Sequence, residues 1–195
     1  MLFRSDAVGV CGSDVHIYHG HINWNLDEFG QPIPLDRHPQ VLGHEIAGTI
    51  VEIGSAVDDL EVGQRVVVDQ GLNCASEGRA EYCEYCATGY SHHCEHYREH
   101  GITGLPGGFA ELIRIPAVNA VPIRSDLVSS HAAMTEPLAC VLHSLDLAQR
   151  QNSRYQVNAD HPDQRVRSIL ICGGGPAGQL FLQAIRSVMQ FQGTV

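Results

Sequence analysis

The sequence contains no lysine, so all of its twelve basic residues are arginines. Aspartate and glutamate together number 22, which gives a formal net charge of -10 at pH 7. A chain of this charge lacks the general attraction to phosphate backbones and anionic lipids that basic proteins have. The composition therefore argues against nucleic acid and membrane surfaces as partners and favours a small polar or neutral substrate.

Long apolar runs are also missing. No stretch approaches the roughly twenty residues that a membrane-spanning helix needs, and the N-terminus lacks the regions of a signal peptide. A hydrophobic content of 44% is nevertheless enough for one domain or parts of two, and it argues against a disordered chain. These features predict a soluble, cytoplasmic protein.

The seven cysteines are an odd number and lie among twelve histidines in tight clusters, unlike the dispersed cysteines of a disulfide framework. In a reducing compartment this pattern favours metal ligands. Two cysteines stand apart from the clusters. Cys140 and Cys172 are flanked by apolar residues and are predicted to be small buried side chains.

The first two thirds of the chain predict a compact β-rich module. Residues 43–53, 64–68 and 109–115 are rich in isoleucine and valine with glycine-containing turns between them, which is typical of short strands. Residues 71–104 show no sustained periodicity, so we expect a loop that needs a metal to hold its shape. From Pro137 apolar residues recur at helical spacing, with the proline in the first turn.

The last third predicts the opening of a parallel α/β fold. A short apolar run at 168–172 precedes a glycine-rich turn at 173–178, and an amphipathic helical pattern follows. We therefore predict a β-rich domain at residues 1–135 and the beginning of a nucleotide-binding domain at residues 136–195.

Both ends of the chain are expected to be truncations. Residues 1–9 have the pattern of a strand entered midway, and residues 193–195 that of a strand just begun. Missing strands would leave an open edge on the β-rich module and an incomplete sheet in the second domain.

Two short segments predict a metal site with an open coordination position. Cys11 follows an apolar strand and begins Cys11-Gly-Ser-Asp-Val-His16, and His44 and Glu45 stand at the edge of another strand. A thiolate, an imidazole and a carboxylate together suit zinc. A site with few protein ligands leaves one position for chemistry.

A second cysteine cluster predicts a closed metal site. Cys83 and Cys86 are separated by two residues, and Cys94 follows after seven more. Two cysteines at this spacing fold round one metal as a tight knuckle.

The glycine-rich turn predicts a dinucleotide site. Gly173-Gly-Gly175-Pro176-Ala177-Gly178 satisfies GxGxxG between an apolar strand and an amphipathic helix. The glycines allow a tight turn and close approach of a pyrophosphate to the N–H groups at the helix start. The residue that selects NAD or NADP is expected about twenty residues further on, where the chain ends, so the choice between NAD and NADP stays open.

Three motifs carry a resemblance to a known family. Residues 9–16, 42–48 and 136–139 resemble the zinc-containing medium-chain dehydrogenases of the alcohol dehydrogenase superfamily, especially the sorbitol and threonine dehydrogenase branch. The resemblance extends over nearly the whole chain. It implies an α+β fold class, with a GroES-like β-rich catalytic domain followed by a Rossmann-type α/β domain. Family members are commonly dimers or tetramers, so a homo-oligomer is expected of the full-length protein.

The resemblance also implies roles around a catalytic zinc, with Cys11, His44 and Glu45 as its ligands. Glu136 matches a glutamate that binds the metal or holds its water in polyol-type members, although it could instead cap the following helix. Asp14 resembles the carboxylate that orients the zinc-bound histidine.

A proton relay is implied next to this zinc. Ser13 resembles the hydroxyl that takes the proton from the bound alcohol, and His16 the outer end of the relay to solvent. The alternative for His16 is an ordinary surface histidine.

The family's structural zinc uses four cysteines, and the first of them corresponds to Ala80 here. We expect Cys74 to supply the missing thiolate while residues 75–81 loop out, because tetrahedral zinc needs four donors. The alternative is a lost or three-cysteine site, with further donors nearby: His92, His93 and Glu81.

The predicted function is hydride transfer between an alcohol or polyol and NAD or NADP, assisted by one catalytic zinc and accompanied by one structural zinc. The alternative is that the 195 residues by themselves form a zinc-binding protein without enzymatic activity. The zinc-free quinone reductase branch of the same superfamily would lack the cysteine cluster.

Overall fold

The computed structural model describes residues 1–195. The chain divides into two compact units, residues 1–136 and residues 137–195. No helix in either unit is both long enough and apolar enough to cross a membrane.

The first unit contains seven strands and three short helices. The strands are β1 (Leu2–Gly9), β2 (Glu45–Glu52), β3 (Arg65–Val68), β4 (Gly71–Leu72), β5 (Arg98–Glu99), β6 (Leu112–Arg114) and β7 (Ala120–Pro122). The helices are α1 (Gly12–Tyr18), α2 (Glu84–Ala87) and α3 (Ser129–Ala132), with 3-10 turns at Ser91–His93 and Ala117–Asn119.

Five of these strands form one antiparallel sheet in the order β6-β1-β2-β3-β7, and β4 pairs with β5 in a separate two-stranded sheet. The expected open edge does not fall at β1. Its first residues pair with β2 on one side and with β6 on the other, and the amino group of Met1 donates to the carbonyl of Ile115 at 3.0 Å. The strand at the start of the chain is therefore an inner strand.

The central strands β2 and β3 are buried on both faces over most of their length. Ile46 and Ile50 point to the main core because they are an even number of residues apart. Ala47 points the other way and packs against Ala132 and Ala133, at the end of α3. The main core is completed by residues from the neighbouring strands and loops: Phe3, Leu60, Val66, Val68, Ile113, Ile115 and Ala120.

The second unit contains most of α4 (Thr135–Arg150), a 3-10 turn at Pro162–Gln164, and α5 (Pro176–Ser187). Its core consists of Ile185, Met189 and Phe191, with partly buried side chains around them. The helix predicted from Pro137 begins at Thr135, two residues earlier than predicted, so Pro137 lies in its first turn.

The strand predicted at 168–172 is present only in minimal form. Ser168 makes a single parallel bridge with Thr194, and Ile169 N–H donates to the carbonyl of Thr194 at 2.9 Å. Leu170 is 86% exposed. A parallel strand is normally covered on both faces and flanked by further strands, and here residue 194 alone pairs with it.

The prediction that Cys140 and Cys172 are buried is wrong, because both are exposed. Cys140 precedes the buried Val141 in α4, and adjacent helical residues point about 100° apart. Cys172 ends the sparsely paired segment at 168–172. Apolar neighbours in sequence did not imply a shared buried face.

Candidate metal centres

The pairing of β1 with β2 assembles the first centre. Gly9, the last residue of β1, is paired with Glu45, the first residue of β2. Cys11 lies two residues beyond Gly9 and so comes beside His44 and Glu45. The ligand atoms of these three residues all lie within 4.8 Å of one another.

Gly9 has a role in this centre that the sequence interpretation missed. A Cβ atom at Gly9 would overlap the Oε2 atom of Glu45. The carboxylate of Glu45 therefore packs directly over the backbone of β1. The available signal was a glycine at the end of a strand, two residues before the candidate ligand Cys11.

Asp14 joins the two segments that carry the donors. Its Oδ2 accepts from the N–H of Cys11 at 2.8 Å, and its Oδ1 accepts from the N–H of Gly43 at 2.9 Å. Oδ1 also lies 3.6 Å from Nδ1 of His44. Because Nδ1 faces Asp14, Nε2 is the ring nitrogen that remains as a candidate metal ligand.

The buried charges of this centre influence one another. Burial opposes ionisation of Asp14, but His44 and the two N–H donors outweigh it and hold the pKa of Asp14 below its usual value. Burial likewise opposes protonation of His44, yet Asp14 and Cys11 raise its pKa to about 9. Burial and then the negative charge of Glu136 raise the pKa of Glu45.

Glu136 lies in the first turn of α4, and not just before the helix as predicted. The Nε2 of Gln70 donates to its Oε1 at 3.2 Å. Its negative charge acts on the pKa of Glu45, but Glu136 lies outside the group formed by the ligand atoms of Cys11, His44 and Glu45. The helix N-terminus also favours a carboxylate at this position, so ligand and capping roles are both compatible with the geometry.

The donors of this centre fit a divalent zinc ion. A thiol, an imidazole and a carboxylate converge, and the charge of a second carboxylate, that of Glu136, acts on Glu45. Two neighbouring carboxylates repel each other when both are ionised, and a divalent cation relieves that repulsion.

Ser13 and His16 lie on α1, three residues apart and therefore on one side of the helix. Ser13 lines a cavity of about 520 Å³ together with residues from two other segments, one of which includes β5: Trp24, Leu26, Tyr97, Glu99 and Thr103. His16 is exposed, and its Nδ1 lies 3.5 Å from Nδ1 of His21. His21 was not identified from the sequence.

The second centre is a group of four sulfur atoms, in which Cys74 joins Cys83, Cys86 and Cys94 within 4.8 Å. The Sγ atoms of Cys74 and Cys94 are 3.7 Å apart, and those of Cys83 and Cys94 are 3.8 Å apart. Sulfurs at about 2.3 Å from a tetrahedral zinc are roughly 3.8 Å from one another. The residues therefore fit a zinc ion held by four thiolates.

The segment after Cys74 forms turns before the chain reaches Cys83. Arg79 N–H donates to the carbonyl of Cys74 at 3.0 Å, Ala80 is exposed, and Cys83 N–H donates to Sγ of Cys74 at 3.4 Å. The N–H groups of Cys86 and Glu95 lower the pKa of the Cys83 thiol to about 6. The other proposed donors lie outside the four-sulfur group: His92, His93 and Glu81.

The glycine-rich turn of the second unit leads directly into α5. Gly175 immediately precedes the helix, and Pro176 and Ala177 are its first two residues. Gly173 has a φ of 120°, a conformation that favours glycine. A Cβ at Gly178 would overlap the carbonyl oxygen of Gly173. No side chain caps the start of α5, so its first N–H groups suit an anion.

Comparison with known proteins identifies the fold family. The sequence model described as the alcohol dehydrogenase GroES-like domain matches residues 1–125. The chain belongs to this alcohol dehydrogenase family. The predicted family and fold class, a GroES-like β-rich domain followed by the start of a nucleotide-binding domain, are thereby confirmed.

Two curated relatives of this alcohol dehydrogenase domain come from the polyol and threonine branch. The D-arabinitol dehydrogenase 1 of Uromyces fabae is 33% identical over 95% of this chain and 44% of its own length. The L-threonine 3-dehydrogenase of Rhizobium etli (strain CIAT 652) is 35% identical over 91% of this chain and 43% of its own length. The chain thus spans less than half the length of these relatives.

A solved structure shows the same fold. The putative zinc-binding dehydrogenase of Sinorhizobium meliloti 1021, bound to NADP, is 33% identical with a TM-score of 0.70. The comparison covers 100% of this chain and 46% of that one.

Proposed function

We propose that this protein is a zinc-dependent oxidoreductase that transfers a hydride between the CH–OH carbon of an alcohol or polyol and NAD or NADP. The convergence of Cys11, His44 and Glu45 at the junction of β1 and β2 carries the proposal. Relatives that act on D-arabinitol and L-threonine support a substrate with a secondary hydroxyl group.

The first centre would hold the catalytic zinc through Cys11, His44 and Glu45, with Glu136 as a further ligand or as the residue that holds a metal-bound water. Zinc supplies a Lewis acid that lowers the pKa of a substrate hydroxyl and, in the reverse direction, polarises a carbonyl. Asp14 keeps His44 oriented through Nδ1.

The proton leaves through the chain's own residues. Ser13, which lines the cavity, would accept the proton of the substrate hydroxyl while passing its own to His16. His16 is exposed and would release the proton to solvent. The second centre, with four thiolates and no open position, would hold a structural zinc.

The glycine-rich turn would bind the pyrophosphate of the nucleotide at Gly173, Gly175, Pro176, Ala177 and Gly178. The NADP bound to the Sinorhizobium meliloti relative supports a nicotinamide dinucleotide. A zinc-binding role without catalysis is the weaker alternative, because the matched relatives are dehydrogenases.

Localisation and assembly complete the proposal. We propose a cytoplasmic homo-oligomer without nucleic acid or membrane partners, supported by the net charge of -10 and the acidic composition. Light scattering on the purified complete gene product would report its oligomeric state, and a monomer would contradict this part.

The test of the activity uses the complete gene product and its Cys11→Ser variant, with Cys172→Ser as a matched control for an exposed cysteine. We expect zinc-dependent reduction of NAD or NADP with polyols, L-threonine or simple secondary alcohols, lost in Cys11→Ser and retained in the control. Zinc analysis should find two ions per chain and one in Cys11→Ser.

Absence of activity with every substrate would overturn the enzymatic proposal, and stable binding of NADH would contradict a purely zinc-binding role.

A further inference from the structure

The end of α1 carries three exposed histidines that neither metal centre uses: His16, His19 and His21. The rings of His16 and His21 have centroids 5.8 Å apart, and those of His19 and His21 stack at 5.7 Å. The Nδ1 atoms of His16 and His21 are 3.5 Å apart.

The backbone brings His21 back over His16. His21 N–H donates to the carbonyl of His16 at 2.9 Å, and Gly20 N–H donates to the carbonyl of Ile17 at 2.9 Å. Gly20 has a φ of 71°. These two bonds and the left-handed glycine form a Schellman motif, which sets the side chain after the glycine against the residue five positions earlier.

The separation of the two nitrogens suits a shared cation better than a shared proton. A hydrogen bond between nitrogens of this kind is usually near 3 Å. Two imidazole nitrogens at about 2.0–2.1 Å from a tetrahedral metal are roughly 3.4 Å apart. The observed 3.5 Å therefore matches the spacing of two ligands of one ion.

We propose that His16 and His21 form a two-histidine surface site for a borderline divalent transition metal such as Zn²⁺ or Ni²⁺. Imidazole suits these ions, whereas Mg²⁺ and Ca²⁺ prefer the carboxylate and carbonyl oxygens that this donor set does not supply. Water completes the coordination because both side chains are exposed.

A regulatory consequence follows for His16, and it rests on the proposed function. A metal on its Nδ1 would occupy the outer end of the proton path that begins at Ser13. Excess metal at this site should therefore inhibit alcohol oxidation while the first two zinc ions stay in place.

The site is tested by titrating Ni²⁺ into the zinc-loaded protein by calorimetry, with zinc content measured before and after. We expect one Ni²⁺ per chain without loss of zinc. His21→Gln should weaken binding at least about tenfold, since even removing an outer partner of a ligand costs about 10–100-fold, whereas His19→Gln should weaken it less. His161→Gln, which changes an exposed histidine of the second unit, should leave the affinity unchanged.

Gly20→Ala tests the geometry without removing any imidazole. The positive φ of Gly20 strains an alanine, so the Schellman motif should weaken and the Ni²⁺ affinity should fall. As a second readout, Ni²⁺ should broaden the NMR ring signals of His16, His19 and His21 before that of His161. Equal Ni²⁺ affinity in the protein and in the His16→Gln/His21→Gln double variant would overturn the site.

The site and the proposed function fail in different ways. Binding of Ni²⁺ that depends on His21, in a protein that oxidises no alcohol, would contradict the enzymatic function and support the site. Alcohol oxidation that Ni²⁺ inhibits equally in the protein and in His21→Gln would contradict the regulatory consequence.

Discussion

The two zinc-type centres are built in different ways from the same chain. The second one draws its four sulfurs from residues 74–94, a segment with little regular structure. The first one combines Cys11 with His44 and Glu45, which the antiparallel register of β1 and β2 brings together. The closed site therefore organises its own loop, whereas the open site depends on the sheet that carries it.

Their surroundings differ in the same sense. The second centre consists of four thiols, so a metal bound there serves to hold the loop. The first centre has mixed donors, and the buried Asp14 contacts the segments that carry them. Ser13, two residues after Cys11, lines a cavity. Loss of metal should therefore unfold the loop at the second centre and remove chemistry at the first.

The largest expected effect is at the second centre. Cys74→Ser removes one of four thiolates, and we expect loss of one zinc per chain and destabilisation of the first unit by more than about 4 kcal/mol, a range that metal loss can reach. Zinc analysis and denaturant unfolding measure the two effects. Cys172→Ser is the control, and a retained second zinc in Cys74→Ser would show that another residue completes the site.

The first centre should respond to Asp14→Asn mainly through metal affinity. The amide keeps the size of the side chain but removes the charge that faces His44. We expect the affinity of the first centre for zinc to fall about 10–100-fold, with the four-sulfur site unaffected. Competition with a chelating dye measures this, and Asp27→Asn in an exposed loop is the control. An equal loss of zinc affinity at both centres would contradict the role of Asp14 in the first centre alone.

The dependence of the first centre on the sheet is tested by Gly9→Ala. The new methyl group would push the carboxylate of Glu45 away from β1. We expect a loss of about 1–3 kcal/mol in the free energy of unfolding, as for other overpacked sites, together with weaker zinc binding. Gly54→Ala is the matched control because nothing lies near its Cβ position. Equal stability in the two variants would contradict the close packing at Gly9.

The smallest expected effect concerns pH and His100, which follows β5 at the end of the cysteine-rich loop. Burial lowers its pKa below the usual 6.5, although the carbonyl of Pro106 favours its protonated form. A lowered pKa means that the stabilising contribution is fully present above pH 6.5 and is lost as the pH falls through the folded-state value.

Denaturant unfolding at a series of pH values between about 7.5 and 5.5 measures this contribution. His100→Asn should show a smaller loss of stability on acidification than the unchanged protein. The exposed His161 gives the control variant His161→Asn. A pH profile unchanged by His100→Asn would assign the acid sensitivity to other groups, such as the four clustered thiols.

Most of the candidate metal ligands could be predicted because they lie close together in the sequence. Two residues separate Cys83 from Cys86, and His44 and Glu45 are adjacent, so a few residues carry each pattern. The glycine-rich turn is equally local, and the overlap that a Cβ at Gly178 would cause gives a structural reason for its last glycine.

Predictions that depended on packing were less successful. Cys140 and Cys172 have apolar neighbours yet are exposed, since their burial depends on which side of α4 faces the core and on how many strands flank residues 168–172. The inner position of β1 depends on the return of β6, a hundred residues later.

The sequence by itself determined the alcohol dehydrogenase family, the donor types of both centres and the order of the two domains, because local spacing and turn chemistry encode them. Only the tertiary structure decided that Cys74 joins the four sulfurs, that Gly9 makes room for Glu45, and that His21 meets His16. These contacts arise from strand register, loop excursions and a helix terminus. Their geometry exists only when the chain is folded.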